Sequence, residues 1–153
     1  MRHLFILLLC LATFASCRHQ PSAFAYRSTS VDGWEPGDTL HFHIDSIQES
    51  GNYMLTLGIR TSASTPYPFQ TLWLVVQQKW YNPDTLRIDT VECRLTDEKG
   101  KIVGHGVSLY QFTQPFLTQH LQAGSSADFS IIHIMRREML PGISSVGIKL
   151  QRQ

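Results

Sequence analysis

Thr39-Leu40-His41-Phe42-His43-Ile44-Asp45 and, after Glu49-Ser50-Gly51-Asn52, Tyr53-Met54-Leu55-Thr56-Leu57-Gly58-Ile59-Arg60 are two segments in which alternate residues are apolar. A period of two marks a strand with one buried and one solvated face. Leu40, Phe42 and Ile44 share one face of the first segment, and His41, His43 and Asp45 share the other. In the second, Tyr53, Leu55, Leu57 and Ile59 alternate with Met54, Thr56, Gly58 and Arg60. The intervening residues favour a turn, so the two segments are expected to pair as an antiparallel hairpin.

The same signal recurs towards the C-terminus. Ser62 to Pro68 reads as a loop, and Phe69 to Lys79 as a strand whose centre, Leu72-Trp73-Leu74-Val75-Val76, is apolar on both faces and therefore belongs in mid-sheet. Asn82-Pro83-Asp84 breaks the chain; Thr85 to Leu95 resumes the strand pattern with a phase slip at Asp89 and Thr90 that a bulge would explain. Asp97-Glu98-Lys99-Gly100 forms a tight turn before a short strand from Ile102 to Ser108. Tyr110 to Gln122, with Pro115 and mixed periodicity, reads as a long connection. Ala127 to Met135 and Val146 to Leu150 are the last strands, joined by a polar crossover, Arg136 to Pro141. About seven to eight short strands without a helical stretch predict one all-β domain, an antiparallel β-sandwich spanning residues 31–153.

The N-terminus reads differently. Arg2 and His3 precede a twelve-residue apolar run from Leu4 to Ala15, which spans roughly 18 Å as a helix, short of the roughly 30 Å of a bilayer core. Residues 1–16 are expected to be a signal peptide. Phe14-Ala15-Ser16-Cys17 resembles a lipobox, with small residues before a cysteine that is acylated after cleavage, and Phe14 where an aliphatic residue is usual. Cys17 is then the lipid attachment site and residues 17–30 a polar tether merging into a first edge segment, holding the protein to a membrane through acyl chains. An ordinary thiol beside a plain cleavage site is the alternative. Cys10 falls within the leader, so Cys93 has no disulfide partner and reads as a small buried hydrophobe.

Charge and chemistry narrow the function. The 153 residues carry 13 Lys+Arg and 12 Asp+Glu, a net charge of +1, which gives no reason to expect nucleic acid as a partner. No serine sits in a Gly-x-Ser-x-Gly elbow, no glycine-rich phosphate loop occurs, and Cys93 lies inside a strand between Glu92 and Arg94. The expected reading is not an enzyme, with no cofactor. His41, His43 and Asp45 could place two imidazoles and a carboxylate on one metal, or be a solvated strand face; no metal site is assigned. Trp34, Tyr67, Phe69, Trp73, Trp80 and Tyr81 could form a stacking platform for sugars, which makes a carbohydrate-binding lipoprotein the alternative function; otherwise Trp73 is core and Trp80 and Tyr81 pack at a strand end.

Several segments in order resemble the GldH family of gliding-motility lipoproteins of Bacteroidota: the leader ending at Cys17; Trp34, Asp38 and Phe42; Pro66-Tyr67-Pro68-Phe69-Gln70-Thr71-Leu72-Trp73-Leu74; Leu95-Thr96-Asp97-Glu98-Lys99-Gly100; and Met135-Arg136 leading to Leu140-Pro141-Gly142-Ile143 and Val146-Gly147. The resemblance implies an acylated protein of the cell envelope, an accessory or scaffold component of the gliding machinery or the associated type IX secretion system, without a catalytic site. Its implied partners are other envelope proteins. Arg18-His19-Gln20, where surface-exposed lipoproteins of the phylum carry acidic residues, implies an anchor facing the periplasm. Arg136, Arg137 and Glu138 in the crossover are the expected partner contact, or else a surface turn holding the last strand.

Overall fold

A computed structural model describes residues 22–153. Eight strands follow in order: β1 (Ser22–Ser28), β2 (Leu40–Ile44), β3 (Gly51–Ser62), β4 (Thr71–Tyr81), β5 (Thr85–Arg94), β6 (Leu109–Leu121), β7 (Ser126–His133) and β8 (Ile143–Arg152). They form two antiparallel sheets, β1-β8-β3-β6 and β2-β7-β4-β5. The core lies between them: Leu55, Leu57, Ile59, Val146, Ile148 and Leu150 from the first sheet meet Phe42, Leu72, Leu74, Val76, Phe129 and Ile131 from the second, all buried. This is the expected β-sandwich, and the stretch expected to be a tether merging into an edge segment contains β1, paired along its whole length with β8.

The expected hairpin is not formed. β2 pairs with β7, while β3 lies in the other sheet between β8 and β6. The two apolar faces read from the sequence enter the core from opposite sheets instead of lying side by side in one. Residues 45–50 make the crossing, pinned by buried Ile47, whose N–H donates to the Ser125 carbonyl and whose carbonyl accepts from Gly124, both at 2.7 Å.

Three further expectations are corrected. Tyr110 to Gln122 is not a connection but the body of β6; the ladder to β3 skips a residue after Leu117↔Leu55, and Pro115 is tolerated because β6 is an edge strand. Ile102 to Ser108 makes only isolated bridges, Thr96↔Ile102 and His105↔Gln111. β5 has no bulge at Asp89, since its register with β4 runs unbroken from Trp80↔Thr85 to Thr71↔Arg94. The apparent slip arises because Arg87 and Asp89 are in phase with the core-facing Val91 and Cys93. Gln78, fully buried, donates to Asp89 Oδ2 at 2.6 Å and accepts from Trp80 Nε1 at 3.1 Å, and Arg87 Nε sits 2.8 Å from Asp89. The Arg87–Asp89 ion pair on β5 and a proline with a skipped residue on β6 are both devices that discourage edge-to-edge association.

Strand β1 is held by shape. Tyr26 lies across Gly58 and Gly147, the facing glycines of β3 and β8; a Cβ at Gly147 would meet Tyr26 Cδ1 at 2.7 Å and the Ala25 carbonyl at 2.8 Å. Arg60 covers the other side of the ring, 3.6 Å from its centroid. Burial raises the Tyr26 hydroxyl above its ordinary pKa. Arg27 Nε then donates to the His41 carbonyl at 3.1 Å, bridging the β1 and β2 edges of the two sheets. Gly147→Ala is expected to destabilise the fold by about 1–3 kcal/mol through overpacking, with hydrogen-exchange protection lost first in β1; unchanged protection of residues 24–28 would refute this role of Tyr26.

Candidate functional site: the distal loop face

Every strand runs antiparallel to its neighbours, so the connections fall alternately at two ends. At the base, where β1 begins with Ser22 opposite Gln151, lie the short segments 45–50, 82–84 and 122–125. At the distal end lie the long ones, 29–39, 63–70, 95–108 and 134–142.

The distal loops are tied together by a few buried groups. Trp34 is fully buried and exchanges backbone hydrogen bonds with Leu140 at 2.9 and 3.0 Å, while its indole N–H donates to the Asp38 carbonyl at 2.7 Å. His133 packs edge-on against the indole, with ring centroids 5.0 Å apart. Its Nδ1 accepts the Met135 N–H at 3.3 Å, which leaves Nε2 as the N–H that donates to the Trp34 carbonyl at 3.0 Å. One neutral imidazole therefore joins loop 29–39 to loop 134–142. Burial holds its pKa below the ordinary histidine value, opposed by the hydrogen bond to Trp34 and by Asp38.

A second tie is Tyr67, whose hydroxyl donates to the Thr71 carbonyl at 2.9 Å. Gly142, with φ of +85°, passes so close that a Cβ would meet Tyr67 N at 2.6 Å, so no other residue fits there without displacing loop 63–70. The Trp73 N–H points at Met135 Sδ, 3.5 Å away.

Around these ties the surface is apolar. Of the twelve exposed large hydrophobic residues among those described, nine are distal: Val31, Phe69, Trp73, Ile102, Val103, Val107, Leu109, Ile134 and Met139. The exceptions are Phe24, Leu86 and Ile88. A cavity of about 240 Å³ opens between loops 63–70 and 95–108 and the start of β6. Arg136, Arg137 and Glu138 are all exposed on loop 134–142, and none has a salt bridge among the described residues.

The other sequence-nominated residues scatter. Cys17 lies outside the described residues. His41 and His43 do share the outer face of their sheet, but His41 Nδ1 meets Ser130 Oγ at 3.2 Å and His43 Nδ1 meets Asp128 at 2.6 Å, with Asp45 only 3.6 Å from His43 Nε2. The hydrogen bond between them raises the His43 pKa and lowers that of Asp128, which also accepts from Tyr81 at 2.8 Å. No group of three metal-ligating side chains is found among the described residues.

The six aromatic residues do not form one platform. Trp34 and Trp80 are core, Tyr67 and Phe69 belong to a distal loop, and Tyr81 is at the base. Trp73 is 39% exposed rather than core, because the inward positions of β4 are Leu72, Leu74 and Val76. Cys93 is a free, buried thiol whose pKa burial pushes up to about 12, leaving almost no thiolate at neutral pH. Missed from sequence were the Trp34–His133 tie, which joins residues 99 positions apart, and the cavity, whose wall includes a loop read as a strand.

The GldH lipoprotein family profile matches residues 23–150. The chain belongs to this family. The gliding motility lipoprotein GldH homolog of Christiangramia forsetii is 23% identical over 157 residues, covering 97% of this chain and 94% of that one. A crystal structure from Sulfurospirillum deleyianum aligns with a TM-score of 0.45 and 13% identity over 87% of this chain and 98% of its own. A family 35 carbohydrate-binding module from Clostridium thermocellum aligns at 0.40 and 9%, covering 83% and 90%. At these TM-scores neither likeness carries an argument about ligands. The segments quoted for the family resemblance meet at the distal end: Trp34 on Leu140, Tyr67 against Gly142, and Trp73 on Met135.

Replacing His133 by Gln is expected to cost about 1–3 kcal/mol at about pH 7.5 by leaving a backbone group unpaired. The unfolded imidazole titrates near 6.5 and the folded one lower, so its stabilisation is complete above about pH 6.5 and is lost as pH falls through the folded value. His43, with its raised value, contributes in the opposite direction and is common to both proteins. The gap between wild-type and His133→Gln urea midpoints should therefore narrow on acidification; a constant gap would contradict the neutral-imidazole assignment.

Proposed function

We propose that this protein is a non-catalytic envelope lipoprotein that scaffolds the gliding machinery or the associated type IX secretion system, anchored at its base and binding envelope proteins through its distal loops. In this reading residues 1–16 are removed, Cys17 carries the acyl chains, and the anchor faces the periplasm. The observation that carries it is polarity: the chain enters the sandwich at the base, while nine of the twelve exposed large apolar residues sit at the other end. Apolar patches rimmed by polar residues mark protein contacts, and Trp and Arg are enriched among residues that dominate binding energy. Membership of the GldH lipoprotein family supports both the anchor and the gliding context. Of the six aromatic residues nominated for a sugar platform only Phe69 and Trp73 are exposed, which favours the scaffold over the sugar-platform reading.

The test is cross-linking in intact cells with mass spectrometry of the captured proteins. Wild type should capture gliding or secretion components, and Cys17→Ala should lose both acyl labelling and that capture. The Arg136→Ala, Arg137→Ala double variant should reduce capture severalfold with stability changed by less than about 0.5 kcal/mol per exposed site. Undiminished capture by the double variant would remove the two arginines from the contact.

A further inference from the structure

Two side-chain polar atoms among the described residues are buried without a hydrogen-bond partner, Tyr26 Oη and Gln119 Nε2. Buried polar groups are ordinarily paired, and each exception calls for an explanation. Packing accounts for Tyr26, which lies against Gly58 with the Arg60 guanidinium over its ring. Gln119 is different, because it lines a cavity. That cavity, of about 220 Å³, sits at the base between the 82–84 turn and the end of β6. β5 and β6 are the end strands of their sheets and no ladder joins them, so the two sheets part on this side.

The wall is mixed in character. Trp80 and Leu121 supply apolar surface, and Thr85, Gln119, His120 and Gln122 supply polar groups. The Trp80 indole N–H is already taken by Gln78 Oε1 at 3.1 Å, so the ring offers an occupant only its apolar body. No Asp, Glu, Lys or Arg lines the cavity. An ion there would lose its hydration without a counter-charge, so the complementary occupant is neutral. The volume exceeds the roughly 150 Å³ that holds benzene, which leaves room for one substituted six-membered ring.

Amide, imidazole and hydroxyl groups present donors and acceptors together, and a hydroxyl answers either kind. Two neighbouring hydroxyls match Gln119 in particular, one accepting from the amide N–H while the other donates to the amide oxygen. The terminal torsion of glutamine is broad and roughly two-fold, and Nε2 gives up no bond in turning towards the cavity. A second, more open groove of about 460 Å³ shares Trp80 and Thr85 with the first and continues along Gln77, Lys79, Asp84 and Leu86. A linked sugar has that groove to run into.

We infer that the base cleft binds the terminal ring of a glycan, a neutral sugar with free vicinal hydroxyls. This is not an exposed aromatic platform: Trp80 is only 5% exposed and acts from the wall of an enclosed cleft. The cleft lies at the end where β1 begins, the end that the anchor reading places nearest the membrane. A membrane glycolipid and an envelope polysaccharide both present such a ring there. The inference uses no distal residue and stands whether or not the distal loops hold a partner.

The test uses the full chain in lipid nanodiscs, titrated with the methyl glycosides of glucose, galactose, mannose and N-acetylglucosamine while side-chain amide and methyl NMR signals are followed. At least one should give saturable shifts at the Gln119 amide and the Thr85 methyl. Gln119→Leu, which keeps most of the bulk, should weaken the Thr85 response at least tenfold, about the worth of two hydrogen bonds. Its urea midpoint should be unchanged or higher, because an unpaired buried amide has been removed. No saturable shift with any of the four glycosides, a Thr85 response that survives Gln119→Leu, or a lowered midpoint that makes the amide a structural group would each overturn the site. The sugar that binds is then offered as a lipid headgroup in the nanodisc and, separately, as the end of a soluble oligosaccharide. Tighter binding to the headgroup marks a glycolipid; tighter binding to the oligosaccharide, with shifts reaching Leu86, marks a polysaccharide.

Discussion

Strict antiparallel alternation across eight strands is the constraint on which the rest of the molecule depends. Because no strand connection crosses from one end to the other, each connection must fall at the base or at the distal end, and the chain alternates between the two. The base turns are short and the distal loops long. Loops that share an end must pack on one another or leave backbone groups unsatisfied, and Trp34, His133 and Tyr67 are the side chains that supply those contacts. The distal face is thus a consequence of topology before it is a consequence of any particular surface residue.

The two sheets are protected differently at their margins. β5 carries Asp89 in its core-facing phase, bonded to buried Gln78 and to exposed Arg87, and β6 carries Pro115 beside a skipped ladder position. On the opposite margin, Tyr26 seats β1 over two glycines and Arg27 reaches the β2 backbone. With the lateral edges guarded in this way, the distal end carries nine of the twelve exposed large apolar residues among those described.

Family membership and physical reading converge on that end. Segments that resemble the GldH lipoproteins lie far apart in the chain, yet Trp34 meets Leu140, Gly142 meets Tyr67 and Met135 meets Trp73. These contacts fix loop positions. The exposed Arg136, Arg137 and Glu138, and the cavity behind Phe69, are presented by that fixed framework.

The sequence alone determined the strand character of most segments, the all-β class, the mid-sheet position of β4, the buried lone Cys93 and the resemblance to the family. Each of these depends on residue types at near neighbours in the chain, which local periodicity reports directly. Tertiary structure decided what local pattern could not carry. Pairing of β2 with β3 in one sheet and their placement in opposite sheets satisfy the same alternation, and only the availability of β7 and β8 as partners separates the two. Pro115 looks like a break until β6 is placed at an edge; Asp89 looks like a slip until Gln78 is found bonded to it from the diagonal position on β4. The cavity and the His133 tie arise from residues brought together by packing, and no spacing along the chain encodes a distance between sheets.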